Sequence, residues 1–167
     1  MRIIRLFIVL GCFIPSATLY SQTPANFSGQ WQYEKAKSTP DTLEPTFDGT
    51  VIMRITQNAS TIAFSEVYKK QGSADFKTAP DTYSLDGKET VKKDETGISM
   101  KSTKWSQDKK VLTITNHDTP TLDGVAKDFL IVDSYKLSDD GRTLMLERYY
   151  KNPVTGESRV KKLYSKK

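Results

Sequence analysis

Cysteine is almost missing from this sequence: Cys12 is the only one in 167 residues. It stands in an N-terminus where Arg2 and Arg5 precede a nine-residue apolar run, Leu6 to Ile14, with small or polar residues following through Ser21. That is the three-part pattern of an export signal. The run is far short of the roughly 20 residues that cross a bilayer as a helix, so no transmembrane segment is expected. Residues 1–21 are therefore read as a signal peptide cleaved after Ser21, with cleavage after Ala17 as the alternative. Residues 22–167 are read as one extracytoplasmic domain, periplasmic or secreted. Val9-Leu10-Gly11-Cys12 also matches a lipobox, so a lipid anchor on Cys12, giving a membrane-anchored lipoprotein, is the competing reading. If the leader is removed, the remaining chain makes no disulfide and offers no thiolate nucleophile or thiolate metal ligand. Core burial alone must then hold it.

Histidine is equally scarce. His117 is the only one, and it is followed by Asp118; neighbours in a strand point to opposite faces and are badly placed to share a metal. No Gly-x-Ser-x-Gly, phosphate-binding Gly-rich loop or His-Glu-x-x-His occurs. The chain is accordingly read as a non-enzyme with no catalytic residue, metal or cofactor. Charge of one sign is also modest. Lys and Arg number 25 against 20 Asp and Glu, and loss of Arg2 and Arg5 leaves 23 against 20. The lysines are dispersed, with a local concentration at Lys161, Lys162, Lys166 and Lys167, so nucleic acid is not an expected partner. A monomer is expected.

What the chain does have is alternation. Period-two segments separated by short polar turns run through it, the pattern of an antiparallel sandwich or barrel. Strands are expected at Gln30 to Lys35, Thr50 to Gln57, Thr61 to Lys69, Thr82 to Leu85, Gly97 to Trp105, Val111 to Asn116, Asp128 to Leu137, Thr143 to Lys151 and Ser158 to Ser165. Any helix should be short, near Lys35 to Lys37. The longest loops are expected at Ser38 to Gly49, Lys69 to Thr82 and Asn116 to Lys127, where Pro and Gly interrupt the pattern. Such short links favour pairing between sequence neighbours. The expected fold is all-β, an up-and-down antiparallel meander closed into a barrel of about 8 to 10 strands. Val51, Met53, Ile55, Ile62, Phe64, Phe129, Ile131 and Leu137 are its predicted core. Lys104 to Leu112 also echoes Lys136 to Leu144 at an offset of 32 residues. Both copies read strand, turn, strand, which places Leu112, Ile114, Leu144 and Leu146 on the inner face.

Asn26-Phe27-Ser28-Gly29-Gln30-Trp31, followed by Lys35-Ala36-Lys37-Ser38, resembles the opening of small secreted bacterial lipocalin-like proteins of the calycin-type β-barrel. The likeness extends loosely through Val51 to Gln57, Tyr83 to Glu89, Trp105 and Leu137 to Leu144. It implies that Trp31 closes the narrow end of a barrel and that an Arg from a late strand lies across its ring. Such a cation-π contact is worth roughly 0.5 to 2 kcal/mol. Arg148, in step with Leu144 and Leu146, is the candidate, and Arg159 the second choice.

Tyr33, Glu66, Tyr68, Asp133, Tyr135 and Tyr150 fall on predicted inward faces and are the candidate ligand-lining residues. Apolar walls carrying a few polar groups suit a hydrophobic or amphipathic small molecule such as a lipid or its acid. Alternatively these groups sit at strand ends, solvated or paired, with Glu66 and Arg148 as partners, because a buried charge without one is costly. The expected function is thus an exported lipocalin-like binding protein. The alternatives are a ligand-free structural module that binds protein or polysaccharide of the cell envelope, and an enzyme built on Glu66 and Asp133.

Overall fold

The computed structural model describes residues 23–40 and 47–167; the leader, its cleavage sites and Cys12 lie outside them. Alternating side chains produce strands almost without helix. These are β1 (Gly29–Tyr33), β2 (Thr50–Gln57), β3 (Thr61–Lys69), β4 (Phe76–Lys77), β5 (Asp81–Ser84), β6 (Thr90–Asp94), β7 (Gly97–Trp105), β8 (Val111–Leu122), β9 (Val125–Ala126), β10 (Phe129–Leu137), β11 (Thr143–Asn152) and β12 (Gly156–Lys166). One 3-10 turn, Lys35–Lys37, follows β1 where a short helix was expected.

The strands form one antiparallel up-and-down sheet in the order β4-β3-β2-β1-β12-β11-β10-β8-β7-β6, with β5 also on β3 and β9 on β8. First and last strands are zipped together, Trp31 opposite Lys166 and Tyr33 opposite Tyr164. The strand number exceeds the expected range. The additions are β6, whose five residues are all exposed and carry no alternation to read, and the two-residue strands β4 and β9. The segment Asn116 to Lys127 is not simply a loop: β8 runs through it to Leu122 and turns back as β9.

The sheet is rolled. Phe64 of β3 stacks on Tyr135 of β10 with centroids 4.8 Å apart, although these strands are five steps apart in the sheet order, a separation of roughly 24 Å were the sheet flat. The roll is not closed by a backbone ladder. β6 occupies the outer edge of β7 from Gly97 to Lys101, leaving only the last residues of β7 facing β5. There side chains take over: Thr103 Oγ1 donates to the Ser84 carbonyl at 2.7 Å, and Lys101 Nζ meets Asp81 Oδ1 at 2.7 Å.

One end of the roll is packed solid. Phe27 and Trp31 are wholly buried there among Ile55, Ile62, Leu112 and Leu144. Trp31 Nε1 donates to the Phe27 carbonyl at 2.8 Å, satisfying the indole, as a buried Trp requires. Gln57 clamps the same segment, accepting from the Phe27 N–H and donating to the Ala25 carbonyl, both at 2.9 Å. Met53 is buried as expected, while Val51, Phe64, Phe129, Ile131 and Leu137 are half-buried; Ile52 and Val67, opposite each other on β2 and β3, are buried on the other face.

The echoed hairpins share one turn geometry. Ser106 Oγ donates to Asp108 Oδ1 at 2.5 Å and accepts from the Val111 N–H at 2.9 Å; Ser138 Oγ does the same with Asp140 at 2.6 Å and Thr143 at 2.9 Å. Each turn then passes through a left-handed residue, Lys109 (φ 55°) in one and Gly141 (φ 66°) in the other.

Candidate functional site

Away from the packed end, the roll encloses a cavity of about 410 Å3. Its apolar wall comes from Met53 of β2, Ile114 of β8, Ile131 of β10 and Leu146 of β11. The rings of Phe64, Tyr68, Tyr83 and Tyr135 add aromatic surface. Among these stand Glu66, Asn116, Asp133, Arg148 and Lys162. Period two places them: Asn116 continues the face of Leu112 and Ile114, Asp133 that of Tyr135, and Lys162 lies between Val160 and Tyr164.

Asp133 and Arg148 lie directly opposite on β10 and β11 and form a two-pronged ion pair, Nε to Oδ1 at 2.6 Å and Nη2 to Oδ2 at 2.7 Å. Arg148 Nη1 also donates to the Tyr150 hydroxyl at 3.1 Å. This fork geometry is the strong form of the contact. Burial works against the guanidinium charge, but the Asp133 carboxylate more than offsets it and raises the pKa of Arg148 above its ordinary value. Burial, then the Asp133 charge, pushes the Tyr135 hydroxyl well above the usual tyrosine range. Tyr83 moves the same way, through burial and then its 2.6 Å bond to Asp81.

Four of the six candidate lining residues meet on the cavity wall: Glu66, Tyr68, Asp133 and Tyr135. Tyr33 is instead half-buried against Tyr164, centroids 5.5 Å apart, and Tyr150 touches Arg148 but is not among the residues that line the cavity. Glu66 and Arg148 are not partners, since Glu66 accepts from the Tyr68 hydroxyl. Nor does Arg148 cover Trp31. The residue above that ring is Lys166, its Nζ 5.5 Å from the centroid, because β12 brings Lys166 opposite Trp31 while pairing Arg148 with Val160. Val160 and Lys166 are six residues apart along β12, roughly 20 Å. Arg159, the second choice, lies over Tyr149 at 5.1 Å.

Asp81, Tyr83, Asn116, Lys162 and Tyr164 also line the cavity and were not foreseen. The alternation of Val160, Lys162 and Tyr164 was a usable signal for two of them. His117 points to the other face of β8, where its ring meets the Asp128 carboxylate, which Lys151 Nζ also contacts at 2.9 Å. Those two partners hold the pKa of Asp128 below its ordinary value. Among the described residues no three His, Cys, Asp or Glu side chains gather as a metal site would need, and no helix is long and apolar enough to cross a membrane. A second hollow of about 420 Å3, lined in part by Leu85, Thr103 and Trp105, lies beside the β5–β7 seam. Compared with known proteins, the chain matches no family model and no curated protein.

Proposed function

We propose that this chain is an exported, lipocalin-like binding protein that holds a hydrophobic or amphipathic small molecule, without a cofactor and without chemistry of its own. In this reading the rolled sheet is a barrel whose last seam is tied by side chains. The observation that carries it is the cavity: about 410 Å3 between apolar and aromatic walls, with a satisfied ion pair set into one side. That volume lies within the range of roughly 300 to 1,000 Å3 usual for small-molecule sites. Export rests on the Arg2 to Ser21 pattern alone.

Native mass spectrometry of protein purified from its own host is the test. A retained small-molecule adduct is expected. Absence of any adduct, together with failure to bind a hydrophobic dye, would replace the carrier by a ligand-free interaction module. One observation favours that second reading: Val91, Leu122 and Val125 on β6, β8 and β9 are 57%, 42% and 59% exposed.

A further inference from the structure

The polar groups of the cavity differ in how far they are satisfied, and the difference has a sign. On the donor side, the Arg148 fork is filled by both oxygens of Asp133 and by the Tyr150 hydroxyl. Lys162 is engaged in an interaction of its own. Lys101, at the seam, is paired with Asp81. The cavity's acceptors are less well matched. The Glu66 carboxylate receives one hydroxyl, from Tyr68, and no cation lies within 4.0 Å of it among the described residues. Asn116 Oδ1 is buried with no donor among the described residues. A ligand acid would meet a carboxylate and cations already taken. A ligand cation would meet an open carboxylate and π faces.

We propose that the ligand is an amphipathic organic amine, its ammonium on the Glu66 carboxylate and its apolar body against Phe64, Tyr68, Tyr83 and Tyr135, an assignment that rests on reading the cavity as a ligand site. At the seam one of these rings already carries a cation, for Lys101 Nζ sits 5.0 Å from the centroid of the Tyr83 ring. Aromatic faces attract a desolvated ammonium through their quadrupole, and a carboxylate supplies the charge-assisted hydrogen bond. The cavity volume suits an amine with one ring or a short chain.

The test is calorimetric titration of the full protein with three probes of one shape, 2-phenylethylamine, 2-phenylethanol and phenylacetate, near pH 7, where the amine and the acid are both ionised. The amine should bind about tenfold or more tightly than the other two, and Glu66→Gln should abolish that advantage of the amine over the alcohol. Equal or tighter binding of the alcohol or the acid by the parent protein overturns the assignment, and that comparison needs no variant. So does an amine preference that survives Glu66→Gln. If the neutral dye Nile red binds but none of the three probes does, the assignment falls and the cavity reading stands. If Nile red also fails to bind, both fall.

Discussion

Arg148→Met is the perturbation that the structure constrains most closely. It leaves Asp133, whose side chain is 6% exposed, without its partner. The Tyr135 hydroxyl, 3.4 Å away, is badly placed to compensate. Removing one member of a buried pair costs about 3 to 5 kcal/mol. The variant should therefore lose about 3 to 5 kcal/mol. Asp133→Asn strands the guanidinium instead, and because Arg148 keeps 22% side-chain exposure, that loss should stay near the lower end, about 3 kcal/mol. Replacing both, Asp133→Leu with Arg148→Met, should come within about 1 kcal/mol of the parent, since apolar packing substitutes for a buried pair. Urea unfolding followed by tryptophan fluorescence measures all three. A loss below about 1 kcal/mol in Arg148→Met, or a double variant no more stable than the single ones, would refute the reasoning.

Thr103→Val removes the hydroxyl that ties β7 to the Ser84 carbonyl; about 1 kcal/mol should be lost, and hydrogen exchange should quicken in β5 while the β11–β12 ladder is unaffected. Tyr83 and Tyr135 have raised pKa values in the folded state, so their contribution is intact below the ordinary tyrosine value of about 10 and is lost as pH climbs above it. An ultraviolet phenolate titration should find Tyr83 and Tyr135 silent until the protein unfolds. Gly97→Ala would put a methyl 2.4 Å from the Thr119 carbonyl oxygen at φ 143°. A loss of about 1 to 3 kcal/mol is expected, with the chemical-shift changes confined to β6 through β9.

Strand positions could be read from the sequence wherever one face meets the core. Thr50–Gln57, Thr61–Lys69 and Gly97–Trp105 begin and end where alternation begins and ends. Alternation is silent where a strand leaves the core, which is why β6 carries no strand signal and the outer half of β8, with its Pro120, reads as a loop. The same limit applied to the site. Inward orientation of Glu66, Asp133, Tyr135 and Arg148 followed from counting by twos, but which of them touch depends on register across strands distant in sequence. Glu66 therefore met Tyr68 rather than Arg148, and Lys166 rather than Arg148 reached Trp31. Whether a meander closes is also a matter of edges. Here the edge is taken by a strand with a single apolar residue, Val91, and no alternation to read.

The paired turns at Ser106 and Ser138 give this molecule its own internal reference. Two loops with the same serine-aspartate bonding differ at the left-handed position, where one holds a lysine and the other a glycine. Exchanging those residues, Lys109→Gly together with Gly141→Lys, would make an isomer of identical composition, charge and length. Its unfolding free energy, set against the parent's, would compare two addresses for one strained side chain without reference to any other protein.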